Sequence, residues 1–455
     1  MRVWAAAMAS IGFLLGPTAC ALAQATPQER QQGPAQDQKG WTGEFSRFAL
    51  HGQLTNIWQY HPAFRSKYQG PQSLDRANHV NETTDVTIFA GVRPWRGGEL
   101  WLDLEMDQGI APSNTLGVAG YVNGDGAKVG KRHPYTRPQR LFLRQTWDLG
   151  GERTDVDPDI NQFSGKQAAD RVVLTIGKFN ATDVFDTNKY AHDPRHDFLN
   201  WSLIDAGTFD YAADAWGYTY GAAVELYRED WTWRAGLFDM SDVPNSKTLN
   251  RDFSERQWQA EVERRYKWRG QEGAVRVTGF LGHARFGRYD EALALAARTG
   301  GRPDTALVRR WSDKGGVSVN WEQALSKDLG VFARAGWADG AHESYEYADI
   351  DRTVQAGVSM QGARWGRPDD TAALAAVLNA ISPEHHRYFA AGGLGILVGD
   401  GRQSYGAEKI VESFYSLRVI KPVTFTFDAQ LIQNPAYNRD RGPVVVFSGR
   451  LHVQL

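Results

Sequence analysis

Hydrophobic and polar residues alternate singly along most of this chain. In the final segment, PVVVFSGRLHVQL, Val445, Phe447, Gly449, Leu451, Val453 and Leu455 fall on one face and Ser448, Arg450, His452 and Gln454 on the other. A period of two with one dry and one wet face predicts a strand. VTFTFDAQL repeats the pattern, with Val423, Phe425, Phe427, Ala429 and Leu431 against Thr424, Thr426, Asp428 and Gln430. Near the start, FALHGQLTNIWQY sets Phe48, Leu50, Leu54, Trp58 and Tyr60 against His51, Gln53, Thr55 and Gln59; DVTIFAGVR and ELWLDLEMD follow, joined by a short turn at 94–98. Further alternating runs span 140–149, 171–179, 216–226, 231–238, 256–264, 274–284, 314–322, 329–337, 352–361, 389–399 and 408–419. The total is about 16 strands, an even number as bacterial barrels require.

Connections sort by parity. Most short turns, such as Ile420-Lys421-Pro422, fall at one end, and most long polar loops, such as IQNPAYNRDRGP, at the other. Two long segments, 150–170 and 362–388, fall on the short-turn side; in the second, DDTAALAAVLNAIS predicts a helix starting near Asp369 or Asp370, on the periplasmic rim. No run of ~18 apolar residues follows the N-terminal segment, which excludes a transmembrane helix. A transmembrane barrel remains, because alternation hides its lipid-facing signal. The 16 Trp, 17 Tyr and 21 Phe against 5 Met suit interfacial aromatic girdles. The predicted fold is all-β: a transmembrane antiparallel β-barrel with short helices in its loops, one domain over 41–455, since a barrel cannot be divided without exposing strand edges.

The chain opens MRVWAAAMASIGFLLGPTACALAQA, a secretory signal peptide over 1–23 with cleavage after Ala23 or Ala25. Residues 24–40 are Gln- and Pro-rich and predict a disordered leader. The sole cysteine, Cys20, lies within the signal, and Pro17, three positions before it, does not suit acylation. A mature chain without thiols has neither disulfides nor cysteine metal sites. With 51 Lys+Arg against 53 Asp+Glu, no nucleic-acid partner is expected.

The stretch AAGGLGILVGDG, 390–401, invites a phosphate-binding reading. A dinucleotide fingerprint needs a third glycine where Val398 stands, and no G-x-x-x-x-G-K-[ST] occurs. Read as a strand, it turns Leu394, Ile396 and Val398 to lipid and Gly393 and Gly395 to the lumen, leaving space for an inward loop or a solute, with Asp400-Gly401 opening a connection.

Lumen-facing positions carry the candidate chemistry. On ELWLDLEMD, Leu100, Leu102, Leu104 and Met106 face lipid, which leaves Glu99, Trp101, Asp103, Glu105 and Asp107 inside. On RLFLRQTWDL the inward set is Arg140, Phe142, Arg144, Thr146 and Asp148. Carboxylates beside arginines can hydrogen-bond sugar hydroxyls while a ring stacks on the sugar's apolar face; alternatively, such charges only pair with one another. Arg93, Lys178, Glu225, Arg234 and Glu412 add charges on other inward faces. The substrate-binding candidates are Arg93, Trp101, Asp103, Glu105, Arg140, Arg144, Lys178, Glu225, Arg234 and Glu412. The longest irregular stretch, 179–217, either folds into the lumen or caps the barrel from outside. There is no G-x-S-x-G and no H-E-x-x-H, and His385-His386 has no third ligand nearby in sequence. No catalytic residue, metal site or cofactor is expected.

HGQLTNIWQYHPAFRSKYQGPQSL, FDTNKYAHDPRHDFLNWSLIDAGTFDYAADAWGYTYGAAVE, YFAAGGLGILVGDG and NPAYNRDRGPVVVFSGRLH, in that order, resemble the carbohydrate-selective porins (OprB-like) of Gram-negative outer membranes. The resemblance spans nearly the whole mature chain. It implies a 16-stranded barrel that passes mono- and small oligosaccharides by passive diffusion through a charged and aromatic constriction. Sugars, outer-membrane lipid and the barrel assembly machinery are the partners it implies, with the barrel a monomer or homotrimer. One departure is the terminal Leu455, where such barrels commonly end in an aromatic residue. The other readings are a secreted soluble carbohydrate-active enzyme, a barrel enzyme acting on lipid and a porin for a non-sugar solute.

Overall fold

The computed structural model describes residues 47–126, 130–347 and 349–455. The expected signal peptide, leader and Cys20 lie outside the described residues. Sixteen antiparallel strands close into a barrel in sequence order, the first pairing with the last. They are β1 (Phe48–His61), β2 (His79–Val92), β3 (Gly98–Ile110), β4 (Lys131–Val156), β5 (Gly165–Phe179), β6 (Thr219–Arg228), β7 (Trp231–Asp239) and β8 (Arg256–Trp268). There follow β9 (Gln271–Phe286), β10 (Arg310–Ala324), β11 (Leu329–Ala338), β12 (Arg352–Gly362), β13 (Arg367–Ala380), β14 (Glu408–Ile420), β15 (Val423–Gln433) and β16 (Val444–Gln454). Short helices α1 (Trp201–Ile204), α2 (Tyr289–Thr299) and α3 (Pro383–Ala390) lie in the connections. Closure gives each strand two neighbours, so no backbone edge meets hydrocarbon.

The alternation holds in three dimensions. Leu50, Ile88, Leu104, Leu141, Ile176, Phe427 and Phe447 are exposed outward, while Thr87, Asp103, Phe142, Thr175, Asp428 and Ser448 are buried within. Trp58, Trp95, Trp147, Trp233, Trp258, Trp311, Trp337 and Trp365 are also exposed, as interfacial rings are.

Two expectations are corrected. The segment 389–399 is not a strand; of the residues expected on lipid, Val398 is buried inside and Leu394 and Ile396 are half-buried. Gly393 instead packs against the ring of Tyr388, and Gly395 against the carboxylate of Asp349, each too close for a Cβ. The missing strand is β13, which contains all but the last two residues of the segment read as a rim helix. Its alanines favour a helix in isolation, but Ala373, Ala375 and Val377 point inward and Leu374 and Leu378 outward, paired to β12 and β14 on either side. Tertiary pairing overrides propensity. The 362–388 anomaly thereby shrinks to a turn at 363–366, and the 150–170 one to 157–164 because β4 and β5 run on past the barrel.

All the short turns now lie at one end and the long loops at the other. The loops 111–130, 180–218, 339–351 and 381–407 send buried residues into the interior. Their rings form the core: Trp201 stacks on Tyr121 at 5.2 Å and on Tyr347 at 4.7 Å, and Tyr347 lies 4.4 Å from Tyr211. Of the two readings of 179–217, the inward one holds.

Candidate functional site

A loop that crosses a lumen carries backbone N–H and C=O groups with no ladder to join, and each needs a partner. From β10 round to β1, the wall supplies them. Arg334 donates to the carbonyls of Leu203, Asp186 and Ala191 at 2.8–3.1 Å. Glu412 accepts from the amides of Leu199 (2.5 Å) and Asn200 (3.0 Å), and Glu408 from Ala119, Gly120 and Ala436. Gln59 and Gln430 both donate to the carbonyl of Val122, Gln355 to that of Asp205, and Arg450 to those of Pro194, His196 and Asp197. These side chains are buried. They hold loops.

The wall from β3 to β6 differs. Arg140 forms a two-pronged pair with Asp183 (2.8 and 2.7 Å) and reaches Asp103 at 3.4 Å. Asp183 is fixed in turn by a reciprocal cap: its carboxylate accepts from the Asn180 amide, and Asn180 Oδ1 from that of Thr182. Arg144 contacts Glu99 at 3.5 Å, and Arg93 contacts the same carboxylate at 3.0 Å. Three arginines of β4 each face a ring: Arg137 over Trp216 (3.1 Å), Arg140 towards Tyr218 (5.0 Å) and Arg144 towards Phe142 (5.1 Å). A ring under a guanidinium holds its plane by cation–π attraction and leaves N–H edges available to other acceptors. Their side chains are 17%, 15% and 29% exposed, and Asp183 30%, against 0% for Arg334.

Loop groups add a buried charge centre behind this wall. Arg195 lies 3.1 Å from Asp125, 3.2 Å from Glu105 and 3.6 Å from Asp85. Burial opposes its charge, but the three carboxylates outweigh it and lift the guanidinium above its ordinary range. Burial, followed by the nearby charge of Glu105, raises the Tyr218 phenol, which stays neutral.

The residues proposed from sequence separate into groups. Arg93, in the turn after β2, comes together with Trp101 and Asp103 of β3 and Arg140 and Arg144 of β4. Trp101 is fully buried, 4.9 Å from Phe163 and donating to Glu99, so its ring supports the wall from within. Glu105 is buried among Thr87, Gln139 and Arg195. Glu225 and Arg234 pair at 3.0 Å and join Glu261 and Glu263 further round the wall. Glu412 lies on the loop-holding wall. Lys178 is a correction: it pairs in register with the exposed Leu141, on the row of Ile176 rather than that of Thr175 and Phe179. Its ammonium bends to Asp214 at 3.5 Å.

Arg137, Asp183, Arg195 and Asn161 were missed. Gln139 is an extra residue in the β3–β4 pairing, where Asp103 faces Arg140 but Leu104 faces Pro138. Such a bulge shifts parity, so counting by twos from Arg140 cannot bring Arg137 inside. Asp183 had a readable signal in the N-x-x-D cap after β5. Arg195 had none.

A closed sixteen-stranded barrel with an apolar outer face and a charged interior narrowed by loops is an outer-membrane channel of the porin class. Residues 71–455 match the model of the carbohydrate-selective porin, OprB family, and the chain belongs to that family. It is a sugar porin of the outer membrane, and its family and fold are those of channels rather than enzymes. The fold resembles the high-pH structure of Pseudomonas putida OprB, with a TM-score of 0.68 at 15% identity over 90% of this chain and 94% of that one. The low-pH structure of P. putida OprB (TM-score 0.49, 11% identity, 90% and 93% covered) and the outer membrane channel DcaP of Acinetobacter baumannii (0.48, 10%, 89% and 96%) also match. Comparison with curated protein sequences finds no match.

Proposed function

We propose that this porin admits neutral mono- and small oligosaccharides to the periplasm by passive diffusion, and that the sugar path runs along the β3–β6 wall. The observation that supports this is the row Arg137, Arg140 and Arg144, each facing a ring, partly exposed, and interleaved with Asp183 and Glu99. Guanidinium edges donate to sugar oxygens and carboxylates accept from sugar hydroxyls, so a solute rich in both exchanges its water for wall contacts at small cost. Arg93, Asp103, Glu105 and Trp101 position that row, and Glu225 and Arg234 continue it round the wall. Charges of both signs give no selective pull on an ion. The chain reaches the membrane with its signal peptide removed after Ala23 or Ala25 and is inserted by the barrel assembly machinery.

Liposome swelling tests this. Purified barrel is compared with glucose, larger sugars and an uncharged amino acid of glucose's size. Faster entry of glucose than of the amino acid supports the reading; rates set by size alone contradict it.

A further inference from the structure

β4 and β5 pair beyond the rim of the barrel. β3 accompanies β4 only as far as Gln145, opposite Gly98, and β6 accompanies β5 only back to Arg171, opposite Asp148; past that point β4 and β5 form a two-stranded hairpin on the short-turn side. The hairpin bends. Gly150 and Gly151 have φ of +123° and +82°, and the register slips on both sides of Gly150; that left-handed backbone is readily adopted only by glycine. Its connecting residues, 157–164, return into the lumen.

There Asn161 donates to Asp103 at 2.8 Å, and Arg144 and Arg93 donate to the carbonyls of Asn161 and Ser164 at 2.8 and 2.9 Å. Phe163 is buried against Trp101, with Arg93 4.3 Å above its ring. The tip also reaches the far seam, where Gln454 of β16 donates to Asp159 at 2.8 Å. Asp103 is thereby held from the long-loop side by Arg140 and from the short-turn side by Asn161. The outer part of the hairpin carries only exposed pairs, Arg153–Asp148 and Lys166–Asp155, which contribute little. What fixes it is the tip.

We propose that the β4–β5 hairpin is a second, periplasmic constriction of the pore, in which Asn161 and Phe163 are positioning residues that hold Asp103, Arg144 and Arg93 and set the upper size of sugar that leaves the wall. This rests on the sugar path proposed above. A periplasmic turn that only closed two strands needs two residues; this one spends eight and places them against the charged wall.

Two variants test it by liposome swelling with glucose, a disaccharide and a trisaccharide, with heat-modifiable migration reporting insertion. One replaces residues 157–164 with Asn-Gly; the other, Asn161→Ala with Phe163→Ala, keeps the backbone and covers the case in which the first does not insert. The expected result is a rise of about threefold or more in disaccharide and trisaccharide entry relative to glucose, since widening a constriction acts most on the largest solute. An unchanged ratio in an inserted variant overturns the constriction. If the unaltered barrel passes no sugar, it is the sugar path that fails.

Discussion

The wall from β10 round to β1 and the wall from β3 to β6 are built from the same inward residue types and use them oppositely. Arg334, Glu412, Gln430 and Arg450 bond to loop backbone and are buried; Arg140 pairs with Asp183, Arg137 with Asp214 and Arg144 with Glu99, each arginine also facing a ring and remaining partly exposed, although Arg144 donates to the Asn161 carbonyl as well. An inward polar residue in a barrel is therefore not by itself a pore-lining one. Partner and exposure decide together: a fully buried group bonded to main chain holds a loop, whereas a partly exposed one offers an edge to a solute even where, as at Arg144, it also holds a carbonyl.

The largest effect is expected on the loop-holding wall. Arg334→Ala removes three carbonyl contacts and leaves the Asp186 carboxylate, 3.3 Å away and fully buried, without its ion partner. Roughly 3–5 kcal/mol of destabilisation is expected for a broken buried pair. Loosening of 180–218 would appear as a lower unfolding temperature in the heat-modifiability assay and as loss of discrimination between glucose and larger sugars. Glu412→Ala comes next, about 2–3 kcal/mol for two orphaned buried amides, read as faster proteolysis within 180–218.

On the other wall the pattern reverses. Arg144→Ala is expected to change stability by no more than about 1 kcal/mol, as a partly exposed pair does, and Arg140→Ala by more than that but less than Arg334→Ala, since Asp103 is fully buried yet keeps Asn161 as a partner. Sugar should nonetheless block single-channel current less well, its half-saturating concentration rising up to about tenfold for a lost contact of about 1.4 kcal/mol. If stability falls as far as in Arg334→Ala, the two walls are not distinct.

A smaller effect depends on pH. Asp349, in the inward loop 339–351, accepts from the amides of Ile396 and Leu397. Burial pushes it up to about 6, against the pull of His385, those amides and Lys314, with Asp351 nearby acting in the same direction as burial. The folded state binds this proton more tightly than the unfolded one, so its contribution declines as pH rises from about 4 to about 6 and is flat above, with a slope below about 1.4 kcal/mol per pH unit. Amide exchange at 396–397 should show that slope, and Asp349→Asn should remove it.

Strand positions and facing were legible because lipid on one side and protein on the other impose a period of two, which Val423–Leu431 and 99–107 display without interruption. β13 was obscured by alanine, which is at home in either period, and 389–399 by a chance alternation of small and aliphatic residues. The site was legible only on β3 and β4, where carboxylate and arginine strands adjoin. The role of Glu412 was not, because it depends on Leu199, 213 residues away, and no local pattern encodes which loop will arrive. The inward path of 180–218 had a trace in its sequence: Trp201, Leu203, Ile204, Phe209 and Tyr211 are too apolar for an outer cap, and all are buried.

The difference between the walls can be read directly by cysteine accessibility. In the barrel without its signal peptide, and so without Cys20, single substitutions Arg140→Cys and Arg144→Cys on one wall, and Thr353→Cys and Thr426→Cys on the other, would be exposed to a small charged thiol reagent with and without glucose. Rapid labelling at 140 and 144, slowed by glucose, with protection at 353 and 426 in either condition, is the expected result. Equal labelling of both walls, or labelling at 140 and 144 that glucose does not slow, would contradict a sugar path along β3–β6.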